Sequence, residues 1–95
     1  MEFDRLCRSL KTHMHFFSDE QKLRMYGLFK QATVGDCPSE APSSLDLLAS
    51  SKHAAWSRNR GMSPETAKET YVLIGTTFET KLAAERRVIP GSANR

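Results

Sequence analysis

Hydrophobic residues recur at helical spacing along most of the 95-residue chain. In the first segment they fall three or four residues apart, which places them on one face of an amphipathic helix. Its apolar positions are Phe3, Leu6, Cys7, Leu10 and Met14. We expect this helix to fray between His13 and Phe17. The segment ends in two adjacent aromatic rings, Phe16 and Phe17, which either close the end of a helical bundle or line an apolar tunnel.

A capping box predicts the start of a second helix. Ser18 is the expected N-cap, and Gln21 follows three residues later, where its side chain can reach back to the Ser18 backbone. Gly35 is the expected stop, because glycine favours the position just after a helix. The segment 36–44 contains two prolines and several serines, so it is predicted to be a loop. This loop is long for a small helical bundle.

Two further helices are predicted in the second half of the chain. Ser50 or Ser51 can cap a third helix that runs from Lys52 to Arg60, and Gly61 closes it. Residues 45–48 are expected to form a short apolar turn that anchors the end of the loop. Ser63 caps a fourth helix, with Pro64 at its first position. Its apolar stripe is Ala67, Tyr71, Ile74, Phe78 and Leu82.

The predicted fold class is therefore all-α, with four helices and a long loop between the second and third. No segment shows the alternation of apolar and polar residues that is typical of strands. We expect residues 1–88 to form one domain and residues 89–95 to form a disordered tail.

Composition narrows the class of protein only slightly. Hydrophobic residues make up 39% of the chain and charged residues 26%, which is ordinary for a soluble globular domain. The net charge of +3 suits an anionic ligand, nucleic acid or an acidic membrane, and is specific to none of them. The N-terminus lacks the apolar core of a secretion signal, and no apolar run approaches the roughly 20 residues that cross a bilayer. We expect a cytoplasmic monomer.

The cysteines and histidines do not predict a metal site or a catalytic site. Cys7 and Cys37 are too few for a disulfide framework and are expected to be reduced thiols. His13 and His15 point to different sides of a helix, so they cannot both bind one metal ion from it. No nucleophile with a recognisable base is present. We therefore expect no enzyme activity, no catalytic residue and no cofactor.

The second helix carries a possible ligand site. Tyr26 and Lys30 are four residues apart, which places them one turn apart on the same face, and Phe29 flanks both. A ring beside an ammonium group suits a ligand that contains a planar base and a phosphate. The same spacing also occurs where a tyrosine edges the core and a lysine is solvated, so this pair does not decide between the two.

The string from Tyr26 to Asp36 resembles the signature of the acyl-CoA-binding protein family. Lys52, the pair Ala55–Trp56 and Tyr71 follow at matching positions, and the resemblance extends over about residues 3–80. It implies an up-down-down-up bundle of four helices. It also implies non-catalytic binding of long-chain acyl-CoA thioesters, with intracellular transport or buffering as the role. By motif position, the implied ligand-binding residues are Tyr26, Phe29, Lys30, Lys52 and Tyr71.

The chemistry of these residues fits the parts of an acyl-CoA. Lys30 and Lys52 can contact phosphates, the Phe29 ring can stack on adenine, and the tyrosine hydroxyls can donate to phosphate or ribose oxygens. The acyl chain must leave water, and we expect an apolar groove on the second and third helices to hold it. Leu23, Met25 and Leu48 are the residues predicted for this groove.

The chain departs from the family pattern at the rim of the site. Phe29 replaces a common tyrosine, Ala41 a frequent arginine and His53 a frequent tryptophan. These changes leave open an alternative, a helical interaction module of the same fold that has weakened or lost ligand binding. A nucleic-acid-binding module is disfavoured because the basic residues are scattered. Four arginines are expected to be solvated or to meet a membrane surface or an acyl-CoA-using enzyme: Arg58, Arg60, Arg86 and Arg87.

Overall fold

Four α-helices make up the protein in the computed structural model, which describes residues 2–43 and 45–92. They are α1 (Glu2–Thr12), α2 (Asp19–Thr33), α3 (Leu47–Ser57) and α4 (Pro64–Ser92), and a 3₁₀ turn at Met14–Phe16 follows α1. Those residues contain no β-strand. The predicted all-α class, with four helices and a long loop between α2 and α3, is therefore confirmed.

The helix ends follow the local chemistry of the sequence. The Gln21 backbone N–H donates to the Ser18 hydroxyl at 3.1 Å, and the Ser18 N–H donates to the Gln21 side chain at 2.9 Å, which is the predicted capping box. Gly35, just after α2, has a φ of 104°, a left-handed conformation that glycine adopts without strain. Ser63 accepts from the Thr66 N–H at 3.1 Å and caps α4, as predicted.

The predicted start of α3 was wrong. The helix begins at Leu47, and Asp46 is its N-cap, because the Asp46 carboxylate accepts from the Ala49 N–H at 3.0 Å. Ser50 lies inside the helix, and its backbone N–H donates to the Asp46 carbonyl at 2.9 Å. Aspartate caps a helix as well as serine does, so both positions suit a cap locally, and the folded chain uses Asp46.

The leucines that surround this cap do not anchor the loop, contrary to the prediction. Leu45 is 91% exposed, and Leu47 and Leu48 are 77% and 63% exposed. Two polar side chains beyond them hold the loop instead. The Arg60 guanidinium donates to the Cys37 carbonyl at 2.8 Å, and His53 Nε2 lies 3.0 Å from the Pro38 carbonyl oxygen.

The core forms where α1 and α2 pack on α4. Helix α2 also packs on α3, which places α2 at the centre of the bundle. Leu6 and Leu10 of α1 are among the most deeply buried side chains. The buried cluster consists of Phe3, Leu6, Leu10, Met25, Leu28, Ala32, Ala67 and Tyr71.

A buried glutamine ties the end of α2 to the turn between α3 and α4. The Gln31 side-chain amide donates to the Asp36 carboxylate and to the Met62 carbonyl, both at 2.8 Å. The same Asp36 oxygen accepts from the Gly61 N–H at 2.9 Å. The Gly61 and Gln31 donors hold the pKa of Asp36 below its usual value.

The C-terminal part of the chain bears on two predictions. Helix α4 continues through Ser92, which includes four of the residues for which the sequence predicted a disordered tail. Residues 93–95 lie outside the described residues, as do the side chains of Arg86 and Arg87. The domain boundary at residue 88 remains a prediction.

Candidate functional site

An apolar cavity of about 430 Å³ lies between α1 and α2. Met25, Tyr26, Phe29 and Tyr71, four of the residues predicted to bind the ligand, line it together. The opposite wall comes from α1 and the segment that follows it. Its residues are Cys7, Leu10, Met14 and Phe17, with the cations Arg8, Lys11 and Lys22 at the same cavity. A cavity that is apolar inside and has cations beside it fits an amphiphile with an anionic end.

Lys52 of α3 reaches the cavity wall through Tyr26. Its Nζ lies 5.3 Å from the centroid of the Tyr26 ring, within the range of a cation–π contact. The contact brings together two predicted ligand residues that are 26 positions apart in the sequence. It also holds an ammonium group beside the tyrosine before any ligand arrives.

Lys30 makes a cation–π contact with a different aromatic ring, that of Trp56. Its Nζ is 4.9 Å from the centroid of Trp56, and the Trp56 Nε1–H donates to the Gly35 carbonyl at 2.7 Å. A cation–π contact at such a site contributes only about 0.5–1 kcal/mol. A charge-assisted hydrogen bond contributes about 1.5–3 kcal/mol. A phosphate near Lys30 would therefore draw the ammonium group away from Trp56.

Three aromatic rings pack together near Tyr26, and two of them, Phe29 and Tyr71, line the cavity. The Phe29 and Phe3 rings stack with centroids 6.2 Å apart, and Tyr71 meets Phe3 edge-on at 5.0 Å. Phe29 is 36% exposed, so part of its ring remains available for a planar ligand group. Tyr71 is only 6% exposed and belongs to the core as well as to the cavity wall. Its role in ligand binding remains a prediction.

Burial governs the protonation of the two polar groups deepest in this wall. It raises the pKa of the Tyr71 hydroxyl well above its usual value, and the neighbouring Cys7 thiol raises it further. Burial also raises the pKa of the Cys7 thiol. Tyr71 is therefore a neutral hydroxyl at physiological pH, able to donate one hydrogen bond. Cys7 is a poor nucleophile there, because the thiolate is the reactive form.

A second cavity, of about 620 Å³, lies between α2, α3 and α4. It is larger but more polar, because Glu20, Arg24, Arg58 and Asn59 contribute to its lining. Leu23 lies in this second cavity and is therefore separated from Met25. Residues two apart on a helix point about 200° apart, so one ligand groove cannot receive both. Leu48 is exposed and lines neither of these two cavities.

Most of the α1 wall was not predicted from the sequence. Cys7, Leu10 and Met14 were assigned to an apolar stripe, and nothing in that stripe separates the residues that fill the core from those that line a cavity. Phe17 was an exception, because the pair of rings at the end of the first helix suggested a tunnel.

The described residues form neither a cluster of metal-binding side chains nor a helix that could span a membrane. No three of their histidine, cysteine or acidic side chains group together as a metal site requires. None of their helices combines the length and the apolar character of a membrane span.

The fold and the site define a class of protein, a small all-α bundle with an apolar cavity beside aromatic rings and lysines. Residues 1–74 match the model of the acyl CoA binding protein family. The chain therefore belongs to the acyl-CoA-binding protein family, as the signature at Tyr26–Asp36 indicated.

Several known proteins resemble this chain. Diazepam-binding inhibitor-like 5 of Mus musculus is 42% identical over 72 residues, which are 76% of this chain and 83% of that protein. Acyl-CoA-binding protein homolog 1 of Caenorhabditis elegans is 34% identical over 84 residues, covering 88% and 98% of the two chains. The crystal structure of Oryza sativa Acyl-CoA-Binding Protein 2 superimposes with a TM-score of 0.83 at 34% identity, covering 87% of this chain and 92% of that one.

Proposed function

We propose that this protein binds long-chain acyl-CoA thioesters without reacting with them and serves as a carrier or buffer for them. The observation that supports this most is the cavity between α1 and α2. It joins an apolar interior to Tyr26, Phe29 and Tyr71, and Lys52 lies against the Tyr26 ring. Family membership supports acyl-CoA as the ligand class.

The acyl chain belongs in the cavity between α1 and α2 rather than in the larger one. Burying a methylene contributes about 0.8 kcal/mol only where its new surroundings are apolar. The larger cavity would set a chain against the charged groups of Glu20, Arg24 and Arg58. Leu23, which lines that larger cavity, is therefore outside the proposed acyl subsite, and Met25 is inside it.

The coenzyme A head belongs at the end of α2 where Tyr26, Phe29 and Lys30 lie. Lys30 and Lys52 would each exchange a contact with a ring for a charge-assisted bond to phosphate. The exposed part of the Phe29 ring would face adenine, and the Tyr71 hydroxyl would donate to an oxygen of the ligand. No step of chemistry is required of any of these groups.

The expected contributions to the binding free energy indicate different roles for the acyl chain and the coenzyme A head. Fourteen methylenes at about 0.8 kcal/mol each exceed what two lysines at about 1.5–3 kcal/mol each can supply. The chain therefore supplies most of the affinity, and the head supplies orientation and specificity. Neither part alone reaches the affinity of the whole ligand.

Calorimetry with palmitoyl-CoA, coenzyme A and palmitate tests the proposal. We expect submicromolar binding of palmitoyl-CoA and far weaker binding of the other two. Equal affinities for all three would contradict it. Absence of palmitoyl-CoA binding by the folded protein would favour the alternative, an interaction module of this fold that has lost its ligand.

A further inference from the structure

Phe17 lies between an apolar cavity and a smaller, more polar pocket. It lines the cavity of about 430 Å³ between α1 and α2, and it also lines a smaller pocket of about 80 Å³ at the end of the bundle. Phe78 and Leu82 of α4 line the smaller pocket from the other side. The side chain of Phe17 therefore separates the apolar cavity from this smaller pocket, which Gln21 and Lys81 also line.

Contacts on both sides hold this ring in place. Its centroid lies 4.9 Å from that of Phe78 on α4. Its backbone N–H donates to the Met14 carbonyl at 3.1 Å, which fixes the chain after the 3₁₀ turn. The next residue is Ser18, whose capping box anchors the start of α2. Phe17 is thus held by α4, by the turn and by the helix cap.

Phe17 also stands at the tail end of the proposed ligand site. It precedes α2, whereas Phe29 and Lys30 lie near the end of that helix. The twelve residue steps from the N-cap Ser18 to Lys30 rise about 18 Å along the helix axis. An acyl-CoA with its head at Lys30 and Lys52 would therefore direct the end of its acyl chain toward Phe17.

We propose that Phe17 is the end wall of the acyl subsite and sets the longest acyl chain that the protein accommodates. This inference rests on the proposed function. A methylene is similar in size to a water molecule, which occupies roughly 30 Å³ of liquid, so the cavity has room for on the order of a dozen methylenes. Longer chains would have to leave the cavity or displace the Phe17 ring.

Removal of the ring should therefore lengthen the subsite. Phe17→Ala would free the volume of the ring itself for further methylenes beside Phe78, and it would open the cavity toward the smaller pocket of about 80 Å³. Each additional buried methylene strengthens binding by about fourfold, and two strengthen it by on the order of tenfold.

A titration series tests this. Saturated acyl-CoAs of 12 to 20 carbons are measured by calorimetry against the wild type, Phe17→Ala and Phe17→Leu, below the concentration at which the ligands form micelles. We expect Phe17→Ala to move the preferred length upward by two or more carbons and Phe17→Leu to move it less. Phe16→Ala is the matched control, because Phe16 is 60% exposed and lines only the smaller pocket. The dependence of its affinity on acyl-chain length should match that of the wild type.

The ratio of affinities for long and short chains is the readout, because overall stability does not alter it in the folded protein. Length profiles of Phe17→Ala and Phe17→Leu that coincide with the wild type would overturn the end-wall role. If Phe17→Ala does not fold, as far-UV circular dichroism would reveal, the profile of Phe17→Leu decides. Failure of the wild type to bind any length would instead overturn the proposed function.

Discussion

The Nζ of Lys52 lies 5.3 Å from the centroid of the Tyr26 ring, and this contact joins α3 to α2 at the edge of the cavity between α1 and α2. Its geometry depends on how closely the two helices approach. Gly27, the next residue after Tyr26, is buried against α3, where a Cβ atom would lie only 2.5 Å from the Ala55 carbonyl oxygen. Gly27 therefore helps to set the distance between Tyr26 and Lys52.

Lys52→Ala and Lys30→Ala should each weaken palmitoyl-CoA binding by about 1.5–3 kcal/mol, because each removes a charge-assisted bond to phosphate. This corresponds to a rise in Kd of roughly ten- to a hundredfold. Calorimetry at low and high salt measures it, and the losses should shrink at high salt, where charges are screened.

Arg58→Ala is the control for both lysine variants. It also removes one cation, but this one is exposed and lies at the larger cavity rather than at the proposed site. Its affinity for palmitoyl-CoA should match the wild type. The head-group assignment is wrong if both lysine variants bind as tightly as the wild type.

Gly27→Ala should destabilise the fold. Its new methyl group would meet the Ala55 backbone, which cannot rotate away, and overpacking of this kind costs about 1–3 kcal/mol. The gain in helix propensity, about 1 kcal/mol, offsets only part of this. Urea unfolding measures the change. We also expect weaker acyl-CoA binding, because α3 carries Lys52.

Gly75→Ala makes the same substitution in α4 and so carries the same gain in propensity. Its Cβ would meet the Leu10 Cδ1 atom at 3.0 Å, the end of a flexible side chain. We therefore expect a smaller change in stability than for Gly27→Ala. Equal losses in the two variants would mean that the close approach of α2 and α3 has no special role.

Gln31→Met should cost about 1–3 kcal/mol of stability although methionine nearly conserves the volume. Gln31 is 1% exposed, and its amide donates to Asp36 and to the Met62 carbonyl. Methionine would leave both acceptors without that donor. The side-chain oxygen of Gln31 has no hydrogen-bond partner among the described residues. Removing this oxygen should therefore offset part of the loss in stability. Thermal unfolding checks this, and a variant as stable as the wild type would contradict it.

Glu79→Gln should reduce stability at neutral pH and leave it nearly unchanged in acid. Arg5 pairs with Glu79 at 3.0 Å and the Ser9 hydroxyl donates to it at 2.6 Å, which lowers the pKa of Glu79 from its ordinary 4.5. Since the folded pKa lies below the unfolded value, the contribution is fully present above pH 4.5. It is lost as the pH falls through the folded pKa.

The expected loss at neutral pH is small, because ion pairs with an exposed partner contribute little. Urea unfolding of the wild type and Glu79→Gln between pH 3 and pH 7 gives the difference. Glu69→Gln, at an exposed position on the same helix, is the control and should show no such pH-dependent difference. A difference in unfolding free energy between wild type and Glu79→Gln that increases in acid would contradict the predicted direction of the pH dependence.

Features that depend on local chemistry could be predicted from the sequence. The caps at Ser18 and Ser63 and the stop at Gly35 depend on neighbouring residues alone, and all three are confirmed. The start of α3 was not determined locally, because Asp46 and Ser50 both suit an N-cap and only the folded chain selects between them.

The walls of the cavity depend on packing and were predicted only in part. The signature located Tyr26, Phe29 and Tyr71, which do line one cavity. The α1 wall was missed because no local pattern tells which face of α1 opens toward α2. The separation of Leu23 from Met25, in contrast, follows from helical periodicity alone.

A titration of ¹⁵N-labelled protein with palmitoyl-CoA, followed by amide chemical shifts, tests most directly where the ligand binds. We expect the largest shifts at residues that surround the cavity between α1 and α2, including Cys7, Tyr26, Lys52 and Tyr71. Shifts that are largest around Arg58 and Asn59 in the other cavity, or no shifts at all, would contradict acyl-CoA binding at the proposed site.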